Sequence, residues 1–239
     1  MDLSLLQRRI FKDKAARWVM LILTVLSLLL LIAIGIGLFF KSRLILSEHS
    51  LWELLSGSAW KPLSGEFGFL PFIVGTLFVT ALSIAIALPI SLLSAIFLTE
   101  YASSWVKRIV FPIFDILAGI PSVVYGVWGT LIIVPWIADK LGPRFVDYTS
   151  GYTVLASGIV LGIMILPILV SLLIEIFTIV PQDYREASAS LGATKWQTCT
   201  KVILRKAMPG IVAAVVLSIS KAFGETIAVL MVCGNYAAI

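Results

Sequence analysis

The fold of this chain is decided by residues 180–211, VPQDYREASASLGATKWQTCTKVILRKAMPGI, a polar segment with strongly apolar segments on both sides. Pro181 suits the first position of a helix, where a missing N–H costs nothing. Gly192 can end that helix because glycine adopts the left-handed conformation without a steric penalty. The first half of the stretch is therefore predicted to be a short helix that ends at Gly192.

The second half of the stretch predicts another helix. Thr194 and Gln197 have the spacing of a capping box, in which each side chain accepts a hydrogen bond from the other residue's backbone. This helix is expected to run from Lys195 to about Met208, and Pro209 is expected to start a membrane helix. A two-helix element of this kind can bind a soluble partner and pass its motion to the flanking spans. An ordinary amphipathic interfacial loop is the alternative.

A motif inside the stretch resembles the EAA motif of ABC importer permeases. The residues that carry it are Glu186-Ala187-Ser188, then Gly192-Ala193, then Val202 and Leu204. In that family the motif forms the coupling helix, which docks into a cleft of the ATP-hydrolysing subunit. Ser188 replaces the second alanine of the motif, and Arg205 replaces its usual proline. The resemblance implies coupling to an ATPase through Glu186, Ala187, Ser188, Gly192 and Ala193.

Composition places the chain in a membrane. Of its 239 residues 60% are hydrophobic, and the mean hydropathy is +1.06. A soluble domain does not need that much apolar surface, so the sequence predicts an all-α polytopic membrane helix bundle. The net charge of +5 comes from basic residues beside apolar runs, which is how membrane topology is encoded, and nucleic acid is not an expected partner.

The residues offer little for enzymatic chemistry. The chain has two cysteines, a single histidine at His49, and no HExxH, G-x-S-x-G or G-x-x-x-x-G-K-[ST] pattern. Neither a metal-ligand framework nor a disulfide framework is indicated. The chain is therefore expected not to be an enzyme and to bind no cofactor itself.

Five membrane spans are predicted, at residues 19–40, 70–98, within 109–137, 153–177 and 211–232. Residues 1–69 are expected to hold a cytoplasmic N-terminus, the first span and an external loop. Residues 70–239 are expected to form the permease core, with 180–210 as its cytoplasmic coupling stretch. This arrangement resembles that of type I ABC importer permeases. Permeases of this kind usually have a sixth span, so a shorter protein or a fragment is expected.

A helix break is predicted in the third span. Residues 118–126, AGIPSVVYG, contain Gly119, Pro121 and Ser122. A broken helix at membrane depth leaves free backbone N–H groups, which are tolerated only beside protein or water. A helix N-terminus in the break suits an anion. Close packing of helices through small residues is the equally weighted alternative.

Two ionisable residues are predicted inside the fifth span. Lys221 and Glu225 are four apart, so a continuous helix would place them on one face, where they can pair. Each ionisable group at bilayer depth costs about 2.5–3.5 kcal/mol on insertion scales, which favours a functional or pairing role. The alternative is that Lys221 extends its amine to the membrane surface.

Further motifs resemble the phosphate-specific ABC importer permeases over about residues 66–235. They are Phe67–Pro71, Gly75–Leu77, Phe97–Tyr101, the 119–126 segment and Gly224–Val229. The chain is most similar to the member of the permease pair with the longer N-terminal loop. The resemblance implies a substrate path that includes Lys221, Glu225, Gly119, Pro121 and Ser122. The family often has arginine in place of Lys221, and lysine lacks the planar fork that binds phosphate oxygens bidentately.

The resemblance also implies an assembly. Its members are a second homologous permease, a dimer of ATP-binding cassette subunits that binds ATP and Mg, and an extracytoplasmic phosphate-binding protein. The expected location is the plasma (inner) membrane of a prokaryote, with the lipid bilayer around the spans. A permease for sulfate or molybdate, and a scaffold or sensor subunit that does not transport, are the alternative functions.

The orientation follows from the basic residues. With the N-terminus inside, twelve of the 18 lysines and arginines lie on the cytoplasmic side, in the N-terminal segment, residues 101–108 and residues 180–210. Five lie on the opposite side: Lys41, Arg43, Lys61, Lys140 and Arg144. The bias predicts a cytoplasmic N-terminus and a cytoplasmic coupling stretch.

Single cysteines test this orientation. Cysteine introduced at Ser104 or Lys195 is expected to react with an impermeant maleimide only from the cytoplasmic side of oriented vesicles. Cysteine at Ser50 or Phe145 is expected to react only from outside, because the charge bias places these positions on the opposite face. The background variant lacks Cys199 and Cys233, and labelling on the reverse sides would contradict the assigned orientation.

Overall fold

A computed structural model of the protein describes residues 3–145 and 148–234. Helices dominate it, and five of the described helices are long and apolar enough to cross a membrane: Ile10–Glu48, Leu70–Tyr101, Ser122–Arg144, Val154–Ile179 and Lys195–Gly224. The prediction of an all-α, five-span bundle is confirmed. The chain divides into two compact units, Met1–Phe69 and Leu70–Ile239.

The first unit contains one long helix and a small folded segment. Helix α1 covers Leu3–Glu48, and α2 covers Leu51–Ser56. Strands β1 (Trp60–Lys61) and β2 (Glu66–Phe67) pair antiparallel around a 3₁₀ turn at Pro62–Ser64. The apolar side chains of α1 from Ile10 to Leu44 are exposed, which suits a helix surrounded by lipid.

The second unit contains nine further helices along its described residues, several of them joined by π or 3₁₀ turns. They are α3 (Leu70–Ile96, continued by the π turn Phe97–Tyr101), α4 (Ser104–Ala118), α5 (Ser122–Trp128, continued by the π turn Gly129–Ile133), α6 (Val134–Trp136, continued by the π turn Ile137–Leu141 and the 3₁₀ turn Gly142–Arg144), α7 (Val154–Ile179), α8 (Gln182–Ser190), α9 (Lys195–Thr198, continued by the π turn Cys199–Ile203), α10 (Leu204–Gly224) and α11 (Ile227–Val232).

The core of this unit is formed by α3 and α7. Small side chains recur every four residues along α3 and are completely buried: Ser83, Ala87, Ser91 and Ala95. The opposing helix α7 buries larger ones at the same interval: Leu161, Ile165, Leu169, Leu173 and Phe177. Residues four apart share one helix face, so the large side chains of α7 pack against a narrow stripe of small residues on α3. The two backbones can then approach closely, and the Ser91 hydroxyl donates to the Leu166 carbonyl across 3.4 Å.

The predicted third span is wrong in its position. The predicted break at Gly119–Pro121 is confirmed between α4 and α5, but the span lies after the break and extends to Arg144. The Gly119 N–H closes the last turn of α4 on the Asp115 and Ile116 carbonyls, and Pro121 has no N–H with which to continue the helix. The candidate span is Ser122–Arg144, and α4 is an amphipathic helix with no buried residue.

The predicted boundary near Met208 is also wrong. The helix that begins at Lys195 continues through the π turn and α10 to Gly224, with Pro209 inside it. A proline is tolerated within a membrane helix because neighbouring groups can satisfy the carbonyl that it leaves free. The helix therefore ends at Gly224, before the predicted end of the fifth span at residue 232. Helix α11 follows as a separate short helix.

Gly158 of α7 provides a test of the packing between α3 and α7. A Cβ atom at Gly158 would lie 2.5 Å from Leu82 Cδ2 and 3.0 Å from Leu82 Cβ. Gly158→Ala is expected to destabilise the bundle by about 1–3 kcal/mol, because overpacking forces the helices apart. Gly75→Ala on α3 is the matched control, since no atom lies within 4 Å of its Cβ position. The midpoint of thermal unfolding in lipid nanodiscs measures both, and equal midpoints would contradict the packing described.

Candidate functional site

The turn between α8 and α9 has the conformation that the sequence predicts. Gly192 has φ of +77°, and its N–H donates to the Ala189 carbonyl across 2.9 Å. The Ala193 N–H reaches the Ser188 carbonyl at 3.2 Å. No atom lies within 4 Å of a Cβ built at Gly192, so its backbone angle and not the available space requires glycine. The helix itself begins at Gln182, one residue after the predicted position.

The predicted capping box at the start of α9 is confirmed. The Thr194 hydroxyl accepts a hydrogen bond from the Gln197 N–H at 3.3 Å, and the Gln197 side chain accepts one from the Thr194 N–H at 2.9 Å. Two of the donors that a helix start leaves free are thereby satisfied. We call α8, the turn and α9, residues 182–198, the coupling element.

A buried hydrogen bond joins the two helices of the coupling element. The Ser188 and Thr198 hydroxyl oxygens are 2.8 Å apart, and both residues are buried. Ser188 is the residue that departs from the second alanine of the EAA pattern. Its hydroxyl is satisfied by Thr198, so the substitution adds a direct polar contact between α8 and α9.

Arg185 connects the coupling element to two spans. Its guanidinium donates to the Glu100 carboxylate from Nη2 at 2.7 Å and from Nε at 3.2 Å, and Glu100 lies in the π turn that ends α3. The same guanidinium donates to the Val180 carbonyl at 2.7 Å and the Phe177 carbonyl at 3.0 Å, at the end of α7. In the sequence, Arg185 is only one of the basic residues that indicate the topology. Pro181 leaves the Phe177 carbonyl without its usual backbone donor, and this is the signal in the sequence from which the role could have been inferred.

The outer face of the coupling element is open to solvent. Glu186 and Ala187 are exposed, and the large apolar side chains of Leu191 and Trp196 are 89% and 56% exposed. An open cleft of about 300 Å³ lies alongside and is lined by Glu100, Gln182, Arg185, Glu186, Ala189, Ala193, Lys195 and Thr198. Exposed apolar side chains rimmed by charges are typical of protein interaction surfaces. The predicted coupling residues therefore lie together on, or directly behind, one accessible surface.

A second group of predicted residues lines a small cavity between helices. The cavity has a volume of about 130 Å³ and is lined by Leu117, Ala118, Ile120, Ser122, Tyr125, Met164, Lys221 and Glu225. We call it the Lys221 cavity. It brings together Ser122, Lys221 and Glu225 from three segments of the chain. Gly119 and Pro121 lie in the helix break beside it but do not line it, so their part is to create the break.

The predicted pairing of Lys221 with Glu225 on one helix face is wrong. Glu225 lies after the end of α10 with φ of −81° and ψ of 120°, an extended conformation. Its carboxylate accepts a hydrogen bond from the Ala228 N–H at 3.2 Å and so caps the start of α11. Among the ion pairs within the described ranges 3–145 and 148–234, none joins Lys221 to Glu225. The helix stops before the second residue of the pair, which removes the i,i+4 geometry.

Two hydroxyl groups of α5 and the π turn that follows it bind carbonyls of neighbouring segments, and the sequence pattern indicates neither bond. The Tyr125 hydroxyl donates to the Leu117 carbonyl at 2.9 Å, across the break between α4 and α5. The Thr130 hydroxyl lies 3.2 Å from the Met231 carbonyl and 3.0 Å from the Gly126 carbonyl, next to α11. Tyrosine and threonine at membrane depth need such partners, but their partners are far away in sequence or beyond a break.

The fold has a counterpart among solved structures. It is similar to a chain in the structure described as inward facing conformations of the MetNI methionine ABC transporter, with a TM-score of 0.52 and 24% identity over 73% of this chain and 71% of that one. The chain therefore shares the fold of that transporter chain. The chain belongs to the family of binding-protein-dependent transport system inner membrane components, whose model matches residues 87–238. It is a multi-pass membrane protein.

Individual relatives are more similar in sequence. A probable ABC transporter permease protein, YqgH of Bacillus subtilis, is 44% identical over 77% of this chain and 58% of its own length. The phosphate transport system permease protein PstC of Pasteurella multocida is 37% identical over 74% of this chain and 59% of its own length. A probable PstC of Methanocaldococcus jannaschii is 34% identical over 86% and 70%. The chain thus spans 58–70% of the length of these relatives.

The bond between Ser188 and Thr198 can be tested with a double-mutant cycle. Ser188→Ala and Thr198→Val are each expected to cost about 1–3 kcal/mol of unfolding free energy, because each leaves a buried hydroxyl without its partner. The double variant is expected to cost less than the sum of the two. Ser190→Ala is the control, since its exposed hydroxyl bonds only within its own helix to the Glu186 carbonyl. Strict additivity would show that the two hydroxyls do not interact.

Proposed function

We propose that this chain is the transmembrane subunit of an ABC importer and forms half of the translocation path for inorganic phosphate. The observation that carries the proposal is its similarity to permeases named for phosphate transport, from a bacterium and an archaeon, over about three quarters or more of the chain. A second homologous permease would supply the other half of the path. An ATP-binding cassette dimer with ATP and Mg would drive it, and an extracytoplasmic phosphate-binding protein would deliver the ion.

The coupling element is the proposed contact with the ATPase. Its exposed Glu186, Leu191 and Trp196 offer one acidic and two large apolar contacts on a protruding surface. Docking against a cleft would bury these apolar side chains, which favours association. We place this element, together with the N-terminus, on the cytoplasmic side of the inner membrane, where the basic residues concentrate.

The Lys221 cavity is the proposed point at which this chain meets the anion. Lys221 supplies a positive charge, and Ser122 supplies a hydroxyl that can donate a hydrogen bond to a phosphate oxygen. Glu225 is occupied as the cap of α11 and contributes a negative charge to the same cavity. A negative charge beside the lysine weakens the attraction for an anion, which suits a path because an ion that enters must also leave.

Uptake by the reconstituted complex separates this function from its alternatives. Vesicles that contain both permeases, the ATPase and the binding protein are expected to accumulate radiolabelled phosphate when ATP is present. Arsenate, which has the same shape and protonation, is expected to compete, whereas sulfate and molybdate are not. Uptake competed by sulfate or molybdate would favour the other oxyanions. Absence of uptake with an intact, nucleotide-responsive complex would favour a scaffold or sensor subunit.

Changes in the coupling element are expected to separate ATP hydrolysis from uptake. Gly192→Pro cannot adopt φ of +77° and loses the N–H that reaches Ala189, so the turn between α8 and α9 is disrupted. Glu186→Arg reverses an exposed charge on the docking surface. Both variants are expected to insert into the membrane normally but to lose most of the ATP-dependent phosphate uptake. Gly192→Asn is the control, because asparagine tolerates the left-handed conformation. Normal uptake and co-purification with the ATPase in both variants would contradict the coupling role.

Variants of the Lys221 cavity test the path. Lys221→Ala is expected to abolish phosphate uptake, because it removes the positive charge and leaves the negative charge of Glu225. Lys221→Arg is expected to retain much of it, because the charge remains. Glu225→Gln removes the negative charge but keeps an oxygen that can cap α11, whereas Glu225→Ala removes both. Comparing phosphate uptake by the two variants therefore separates the effect of the charge from that of the cap. Normal uptake by a Lys221→Ala, Glu225→Ala variant would place the path elsewhere.

A further inference from the structure

We infer that Arg185 is the positioning residue that passes a displacement of α8 to the adjoining ends of α3 and α7, an inference that rests on the proposed coupling function of the coupling element. The residue lies outside the motif from which that function was predicted. Its role follows from the groups that its guanidinium contacts and from the way the chain leaves those groups without other donors.

One guanidinium joins three elements. Arg185 belongs to α8, its Nε and Nη2 atoms donate to the Glu100 carboxylate after α3, and its Nη1 and Nη2 atoms donate to the Val180 and Phe177 carbonyls at the end of α7. The carboxylate contact is two-pronged, with Nη2 at 2.7 Å and Nε at 3.2 Å. A two-pronged contact fixes orientation as well as distance, so the three elements cannot rotate independently while it persists.

The sequence makes these acceptors dependent on Arg185. In a continuous helix the Phe177 carbonyl would accept from the N–H of residue 181, which is proline and has none. Val180 leaves the helix with φ of −63° and ψ of 121°. Both residues are buried, at 1% and 8% exposure, so water cannot easily replace the missing donor. The guanidinium therefore completes the hydrogen bonding of the end of α7.

Arg185 is also the link to α3. Among the described residues, every side-chain hydrogen bond between α8 and the end of α3 is made by Arg185. The ion pair is mostly shielded from solvent, with side-chain exposures of 19% for Arg185 and 15% for Glu100. The same π turn accepts a hydrogen bond from Lys107 of α4, whose Nζ lies 3.1 Å from the Thr99 carbonyl. The ends of three helices of the second unit thus meet where α8 is attached.

Lysine cannot reproduce this arrangement. It keeps the positive charge but has a single nitrogen and no planar fork, so it cannot reach the carboxylate and both carbonyls at once. Arg185→Lys therefore loosens the attachment with little change in charge. Glu100→Gln keeps an acceptor but removes the ion pair. Arg205→Lys is the matched control, because Arg205 is exposed on α10 and makes no side-chain hydrogen bond or ion pair within the described residues.

The first measurement is a distance in the assembled importer, with both permeases and the ATPase present. Spin labels at Ser190 of α8 and Ser103 beside the end of α3 report whether the two move together. In the parent chain and in Arg205→Lys, the distance is expected to stay the same when a non-hydrolysable ATP analogue binds. In Arg185→Lys and Glu100→Gln the analogue is expected to shift or broaden it. An unchanged distance in both variants would overturn the inference.

The second measurement is the number of ATP molecules hydrolysed per phosphate ion taken up. Arg185→Lys is expected to raise this ratio on the order of tenfold, within the range usual for coupling between sites, and Arg205→Lys is expected to leave it unchanged. A lower thermal stability with an unchanged ratio in the assembled fraction would overturn the inference, because Arg185 would then only stabilise the fold.

The two measurements also separate this inference from the proposed function. The distance needs the ATPase but no phosphate, so it can succeed even where the parent complex takes up no phosphate and the substrate assignment fails. Uptake by the parent complex together with an unchanged distance in Arg185→Lys would instead retain the function and overturn the role of Arg185. A chain that does not bind the ATPase would overturn both.

Discussion

The second unit depends on the close contact between α3 and α7. Ser83, Ala87, Ser91 and Ala95 present so little volume that the helix backbones can approach, and the large side chains of α7 fill the space beside them. In lipid there is little hydrophobic gain from bringing helices together, so packing and interhelical hydrogen bonds must supply the attraction. The remaining helices of the unit are arranged around this pair, and the elements with polar residues lie at its ends and breaks.

At three breaks in the helices, a side chain restores the lost hydrogen bonding. Tyr125 bridges the break between α4 and α5, Glu225 caps α11, and Arg185 completes the end of α7. Backbone groups without partners are costly where water is scarce, so an interruption persists only where a replacement exists. Two of these replacements, Tyr125 and Glu225, line the Lys221 cavity, and the third supports the coupling element. The side chains that replace the lost hydrogen bonds therefore lie at the Lys221 cavity and at the base of the coupling element.

Polar residues of the Lys221 cavity and of the coupling element differ in the contacts they make. In the Lys221 cavity, Glu225 is held by α11 while Lys221 makes no ion pair within the described residues, which leaves its amine available to an anion. In the coupling element, Glu186 is exposed while its neighbour Arg185 is turned inward to Glu100. Glu225 and Arg185 thus hold the local structure, whereas Lys221 and Glu186 make no ion pair within the described residues. Arg185 and Glu186 are adjacent on α8 and therefore point in different directions, whereas Glu225 is separated from Lys221 by the end of α10.

The number of spans, the left-handed turn at Gly192 and the capping box at Thr194 could be predicted from the sequence, because they depend on composition or on residues within a few positions of each other. The class of protein followed from the resemblance of its motifs to a known family. The bounds of the third and fifth spans could not be predicted, since a proline such as Pro209 is tolerated or not according to its neighbours in space. The folded structure was needed to show that Glu225 caps α11 instead of pairing with Lys221, and that Arg185 reaches Glu100, 85 residues away in the chain. Local patterns specify local hydrogen bonds, whereas a buried charge takes whichever partner the packing of distant helices brings within reach.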